Sequence, residues 1–229
     1  MSVSVDTVYQ RVLSILNKEQ RGYVTPQEFN LFANQAQMDL FEQYFYDINQ
    51  FGRMHGNDTE FSDMLTLLNE KINIFEVTAP MVYGAGLHWT PPADLYRIGT
   101  LIYNNIEVER INQNEFLYIN QAPLTKPNNT RPIFVSSSAG YKVYGTLELI
   151  TGVTCNYIKK PATAVWEYNT VLGEAQYNSS TSTNFELHGS EETELVIKIL
   201  ELAGISTREL QMYQIAAGME AQNTQQEKS

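Results

Sequence analysis

Cysteine is almost absent from this chain: Cys155 stands alone, which excludes an internal disulfide and a cysteine-based metal cluster. Because it lies in an alternating apolar run, it reads as a small buried hydrophobe rather than a nucleophile. Cations are scarce too. The 15 lysines and arginines face 26 acidic residues, a net charge of −11, and only Lys159 and Lys160 are adjacent. Such a chain lacks the clustered positive surface that holds duplex DNA or an anionic bilayer. No stretch approaches the ~20 apolar residues of a membrane span, and the opening residues do not couple a basic region to an apolar one. The expectation is a soluble protein made in the cytoplasm, with no membrane partner.

Catalytic motifs are equally sparse. His55, His88 and His188 are far apart in loop-like settings without metal-ligand spacing, so each reads as a surface or capping residue. Gly84-Ala85-Gly86 lacks the third glycine, the following helix and the Lys-Ser/Thr pair of a phosphate cradle. No serine occupies a G-x-S-x-G elbow, and Cys155 has no histidine close to it in sequence. The acidic pairs Asp58 with Glu60 and Glu191 with Glu192 fall at helix starts, where the helix dipole accounts for them. The implied protein is not an enzyme and carries no cofactor.

What the chain does have is apolar area, 43% of residues, and many uncharged hydrogen-bonding groups, 34 Asn and Gln beside 24 Tyr and Phe. That mixture suits wet, specific protein interfaces. The residues from Tyr23 to Phe51 predict one long helix. Thr25 offers an N-cap oxygen, Pro26 fits the first helical position, Glu28 completes a capping box, and Val24 with Phe29 forms a hydrophobic staple. Phe29, Phe32, Ala33, Ala36, Leu40 and Tyr44 follow the helical period over a length of roughly 38 Å. In the second half Phe41, Phe45 and Ile48 widen the apolar arc, which calls for more than one partner. Phe41, Tyr44, Phe45 and Ile48 are therefore the candidate subunit interface.

The segment before this helix poses a rival reading. Asn17, Glu19, Arg21, Gly22, Val24 and Glu28 fall at the positions of a calcium-binding helix-loop-helix loop, with Asn17, Glu19 and Glu28 as candidate ligands. The glycine, aliphatic and closing glutamate fit, whereas Arg21 sets a positive charge beside the ion. Helix capping explains Thr25, Pro26 and Glu28 without a metal.

The fold class expected is α+β, a helical bundle built from the N- and C-terminal helices with an inserted, mostly antiparallel β domain. Residues 1–73 read as three helices, the first over Val5 to Asn17 and the third capped at Asp58 or Thr59 with Phe61, Met64, Leu65, Leu68 and Ile72 as its stripe. Residues 74–187 read as β-rich, with a hairpin of Leu95–Tyr103 and Ile106–Ile111 closed by Asn104-Asn105, a second of Ile133–Ser137 and Tyr141–Val143, and strands at Thr146–Ile150 and Val153–Lys159. Asn114 to Gln121 suits a short helix. Helical spacing returns from Phe185, so residues 188–223 read as two helices packing with the bundle: Ser190 caps the first and Gly204 ends it, and Ser206 with Glu209 starts the second. Residues 224–229 read as a disordered tail.

Three stretches carry a family likeness: His88-Trp89-Thr90-Pro91-Pro92-Ala93-Asp94-Leu95-Tyr96-Arg97-Ile98, Leu16 through Asn30, and Phe185-Glu186-Leu187-His188 through Ile205. The first resembles the "hydrophobic, Pro, x, Asp, then strand" segment of head-to-tail connector proteins of short-tailed bacteriophages. The other two are similar to the opening and the C-terminal signature of ring (adaptor) proteins of crAss-like and related phages. The resemblance implies a structural virion protein, assembled after synthesis in the bacterial host. Copies of itself would form a dodecameric ring below the portal protein or a neighbouring ring protein, with genomic DNA passing through the lumen without specific binding. A negative chain lets DNA slide past, and Glu191, Glu192 and Glu194 become candidates for docking a neighbouring ring. A calcium-responsive helical adaptor is the alternative, and a hydrolase assembled from distant residues a weaker third. Calorimetric titration of the apo protein with calcium separates the first two: no heat at millimolar ion is expected, and a saturable exotherm would favour the adaptor.

Overall fold

The longest helix begins as its sequence dictates. The Thr25 backbone N–H and hydroxyl donate to Glu28 Oε2 at 2.9 and 2.8 Å, and the Glu28 N–H donates to Thr25 Oγ1 at 3.3 Å, which closes the capping box. The structure, a computed structural model, describes residues 2–18, 24–51, 64–84, 86–171, 173–206 and 218–219. Glu19, Arg21, Gly22, His55, the Asp58/Thr59 cap, Phe61, the second C-terminal helix apart from residues 206 and 218–219, and the tail lie outside the described residues. The chain divides into two compact units, one of residues 1–74 with 161–229, the other of residues 75–160.

The first unit holds β1 (Ser2–Val3), α1 (Val5–Lys18), α2 (Pro26–Phe51) and α3 (Met64–Asn73) from the front of the chain. The second unit follows with β2 (Glu76–Pro80), β3 (Val82–Tyr83), β4 (Trp89–Thr90), β5 (Leu95–Tyr103), β6 (Ile106–Arg110), α4 (Gln113–Gln121), β7 (Ile133–Ser137), β8 (Gly140–Tyr144) and β9 (Val153–Lys159). The chain then returns to the first unit with β10 (Tyr168–Val171), β11 (Glu174–Tyr177), β12 (Phe185–His188), a 3₁₀ turn Gly189–Glu191, and α5 (Glu192–Ser206).

In the first unit α2 acts as a template for an extended strap. Asn30, Asn34 and Gln37 share one helix face, and each side-chain amide reads the backbone of every second strap residue. Asn30 accepts from the Trp166 N–H (2.8 Å) and donates to its carbonyl (3.2 Å), Asn34 does the same at Ala164 (2.8 Å each), and Gln37 donates to the Ala162 carbonyl at 2.8 Å. Gln37 Oε1 also accepts from the Glu186 N–H at 3.1 Å, and Glu186 Oε2 accepts from the Ala162 N–H at 2.9 Å. The match is geometric. Residues 30 and 34 stand about 6 Å apart along the axis and 34 and 37 about 4.5 Å, against about 6.6 Å for two extended residues. The extra methylene of glutamine takes up the shorter step. Fully buried Ala164 and Trp166 alternate with more exposed neighbours, as a strand would.

Aromatic packing fixes the same strap. Trp166 lies 4.2 Å from Tyr9 on α1, stacks at 5.8 Å on Tyr168 and Tyr177 of the β10–β11 hairpin, and donates its indole N–H to Asp6 Oδ1 at 2.9 Å. Tyr9 meets Phe29 edge-on at 4.8 Å. Chain-distant β1 and β12 pair antiparallel, and Asn184 Oδ1 accepts the Val5 N–H at 3.1 Å. Arg11 and Glu192 join α1 to α5 at 2.9 Å. The apolar face of α5, Leu195, Val196, Ile199 and Ala203, is buried, and the helix runs through Gly204 to Ser206.

The second unit is an eight-stranded sheet in the order β2-β9-β5-β6-β7-β8-β4-β3. Its two end strands are separated in sequence by Met81 alone, whose N–H bonds the Val153 carbonyl at 3.1 Å, so the sheet curls into a near-barrel. Trp89, Leu101, Val108, Phe134, Val143, Val153, Cys155 and Tyr157 fill it. Asn104 and Asn105 close the β5–β6 hairpin with φ of 49° and 61°, the left-handed values such a turn needs. Among the described residues only β6 and β7 pair in parallel, and α4 supplies the crossover that parallel pairing requires, with Phe116 stacked 4.4 Å from Tyr144. Gly140 is obligatory, because a Cβ there would come 2.5 Å from the Trp89 carbonyl at the β4–β8 junction.

These observations overturn the helical bundle with an inserted β domain. The dominant assembly is the near-barrel sheet; among the described residues there are five helices, and the unit containing the terminal helices also carries the β1–β12 and β10–β11 sheets. Residues 161–187 belong to that unit. Phe185–His188 is a strand, not a helix start, since Phe185 and Leu187 alternate inward against exposed or half-buried neighbours. Thr146–Ile150 forms a loop with an isolated bridge from Tyr144 to Glu148. Asp94 Oδ1 accepts from the Tyr157 hydroxyl at 3.0 Å.

Replacing Asn34 with Leu orphans both Ala164 backbone groups, at about 1–3 kcal/mol each. Urea denaturation should show a loss of about 2–6 kcal/mol, whereas Leu31→Ala, 72% exposed on the same helix, should leave the midpoint nearly unchanged.

Candidate functional site

Three short faces converge on a cavity of about 340 Å³ in the first unit. Helix α2 contributes Leu40, Gln43, Tyr44 and Asp47, and α3 contributes Met64, Leu67, Leu68, Glu70 and Lys71. Leu40, Gln43, Tyr44 and Asp47 share the i, i+3, i+4, i+7 spacing of Met64, Leu67, Leu68 and Lys71, so each set falls on one side of its helix. The strand end and turn before α5 supply His188, Ser190 and Glu191, and α5 supplies Glu194.

At its polar end Lys71 Nζ lies 2.8 Å from Glu191 Oε1; the glutamate side chain is 3% exposed and the lysine 22%. The ammonium also sits 5.7 Å from the centre of the Tyr44 ring, a cation–π contact. Ser190 Oγ lies 2.9 Å from both Glu191 Oε1 and His188 Nδ1, so its single proton serves one of them at a time. His188 Nδ1 accepts the Ser190 N–H at 3.3 Å and caps the 3₁₀ turn, a task the sequence had assigned to Ser190. A serine set between histidine and carboxylate is not a hydrolytic triad, in which the histidine must stand between serine and acid. The arrangement instead fixes a charge pair at the end of an apolar chamber.

The interface candidates Phe41, Tyr44 and Phe45 are 0%, 3% and 8% exposed within this single chain, Phe41 and Phe45 meeting edge-on at 5.1 Å, while Ile48 is half-buried. Of the docking candidates, Glu191 is engaged by Lys71, Glu192 by Arg11, and Glu194 lines the cavity. The structure thus brings Tyr44, Glu191 and Glu194, drawn from separate sequence proposals, to one place. Of the calcium candidates, Asn17 is exposed on α1, Glu19 lies outside the described residues, and the Glu28 carboxyl is held below its ordinary range by the Thr25 backbone N–H and hydroxyl. No three His, Cys, Asp or Glu side chains converge as a metal site among the described residues. Burial pushes the Cys155 thiol up, leaving it protonated and inert. Sequence reasoning missed Lys71, Leu67 and Asp47, although their helical spacing was the available signal.

No family model matches this chain, and no curated protein matches it.

A double-mutant cycle checks the charge pair. Lys71→Met alone strands a buried carboxylate and should cost about 3 kcal/mol. The double variant Lys71→Met/Glu191→Leu should recover most of that loss in thermal or urea unfolding; equal loss in both would show the pair to be uncoupled.

Proposed function

We propose that this chain is a structural, non-catalytic component of a bacteriophage virion that assembles with copies of itself into a ring of the head-to-tail connector, seated against the portal or a neighbouring ring around the DNA channel. The reading rests on the three sequence stretches that resemble connector and ring proteins. The structural observation that carries it is an exposed apolar surface on the β unit. Leu117 and Tyr118 on the outer side of α4 and Leu124 just after it are 54%, 75% and 97% exposed. Leu147 and Ile150, 80% and 56% exposed, lie in a loop tied to the 123–131 connection by the Thr146 N–H, which donates to Asn129 Oδ1 at 3.0 Å. Large apolar side chains left this exposed are available for a protein contact. A head-to-tail ring needs such a surface on one side of each subunit, meeting a different surface on the next. This relocates the lateral contact away from Phe41, Tyr44 and Phe45, which the first unit consumes internally. The net charge of −11 suits a lumen past which DNA moves without adhering.

Mass photometry and negative-stain microscopy of the full chain, alone and with the portal of its own virus, test the reading. Closed rings or a ring-shaped complex with the portal are expected. Tyr118→Glu with Leu124→Glu should lower assembly at least roughly tenfold, about 1.4 kcal/mol, with an unchanged circular dichroism spectrum. A strictly monomeric protein with no affinity for any virion component would overturn it.

A further inference from the structure

Two separate stretches of this chain carry charge of opposite sign. From Phe116 to Leu147 the sequence has Lys126, Arg131 and Lys142 and no carboxylate; from Pro161 to Ile197 it has six glutamates and no lysine or arginine. The first stretch includes the turn that follows α4, where Leu124 is 97% exposed and Lys126 and Arg131 are exposed beside it. The backbone of this turn is already held in shape. The N–H groups of Thr125 and Lys126 bond the Ala122 carbonyl at 3.2 and 3.0 Å, and Asn128 Oδ1 accepts from the N–H groups of Thr130 and Arg131 at 2.9 and 2.8 Å. Pro123 and Pro127 fix two of its φ angles. Among the described residues neither Lys126 nor Arg131 has an ion-pair partner.

The acidic stretch includes the β10–β11 hairpin, which stands out from its unit. Tyr168 and Tyr177 anchor its base on Trp166, whereas Asn169, Thr170, Val171, Glu174, Ala175 and Gln176 are exposed on both faces. A Cβ at Gly173, at the tip, would meet nothing within 4 Å. A two-stranded hairpin with neither face covered is marginal in water. Val171 and Glu174 are cross-strand partners, so the tip sets an aliphatic side chain, 43% exposed, beside a carboxylate that has no ion pair among the described residues.

We propose that the β10–β11 arm of one copy docks on the turn after α4 of a second copy, Val171 seating on Leu124 while Glu174 meets Lys126 and Arg131. The inference rests on the reading that copies of this chain assemble, and it names the two unlike surfaces that a head-to-tail contact joins. The spacings match: Leu124 and Lys126 are separated by at most about 7 Å of chain, and cross-strand partners stand about 5 Å apart. Charge selects the pairing, since arm against arm opposes carboxylates and turn against turn opposes cations. A second copy answers both surfaces at once, whereas an unrelated acidic partner would cover the turn and leave the arm bare.

The test uses the full chain. A photo-crosslinking amino acid at position 124 should join one copy to residues 168–177 of a second, mass-tagged copy. Lys126→Glu with Arg131→Glu, and separately Glu174→Lys, each checked for an unchanged dichroism spectrum and melting temperature, should weaken self-assembly roughly tenfold in mass photometry. Combining all three substitutions in one chain should restore it, and assembly of the unaltered chain should loosen as salt rises. Rings that form equally well with either charge variant, a triple variant that stays as weak as its parents, or crosslinks confined to the same copy or to the portal would overturn this docking and leave the ring reading in place. Absence of any self-assembly would overturn both.

Discussion

The amide ladder along α2 is the constraint on which the first unit depends. Asn30, Asn34 and Gln37 hold the backbone of residues 162–166 in the way a neighbouring strand would, although their own backbone is helical. Val165 pairs with Thr183 on the strap's far edge, but the edge facing the helix has no backbone ladder partner, and its buried N–H and C=O groups would each cost free energy if left unmet. The side-chain amides, each both donor and acceptor, are the groups able to meet them in pairs. Once the strap is seated, Ala164 and Trp166 become core, and Trp166 gathers Tyr9, Tyr168 and Tyr177 around it.

Gln37 extends this control past the strap. Its carbonyl oxygen takes the Glu186 N–H at the start of β12, and β12 runs into the turn that places His188, Ser190 and Glu191. The strap, the strand and the cavity's polar end thus trace back to one face of one helix. The adjoining face of α2, which turns Tyr44 toward Lys71, contributes the apolar wall. A buried ion pair seldom adds much net stability, since desolvation offsets its attraction. Its effect here is to fix the lysine against the glutamate and the tyrosine ring.

The β unit solves its backbone accounting differently. Its sheet curls until the end strands β2 and β3 adjoin through Met81, which leaves little edge exposed, and the alternating residues of β9 and β5 point Leu101, Val153, Cys155 and Tyr157 inward. Tyr157 is buried yet keeps a partner in Asp94, and burial with that acceptor pushes its hydroxyl up. The exposed apolar side chains sit on α4, on β3 and in three loops, where they add nothing to this core.

Local chemistry was legible in the sequence wherever neighbours in the chain decide it. The capping box at Thr25 and Glu28, the Asn104-Asn105 turn, the β5–β6 and β7–β8 hairpins and the short α4 all follow from short-range spacing, and the structure has them. The strap, the strand Phe185–His188 and the near-barrel were not legible, because their partners lie more than a hundred residues away or close a sheet around itself. The amides made the difference hardest to see: Asn30, Asn34 and Gln37 look in sequence like polar surface, and a helical period alone does not distinguish a solvated amide from one that pairs with a distant backbone. Sequence by itself determined where the chain would turn, cap and alternate, since those depend on local sterics and hydrogen bonding. Tertiary structure alone decided that α2 would spend its polar face on residues 162–166 and its aromatic arc within its own unit, since both outcomes depend on which distant segment arrives to be satisfied.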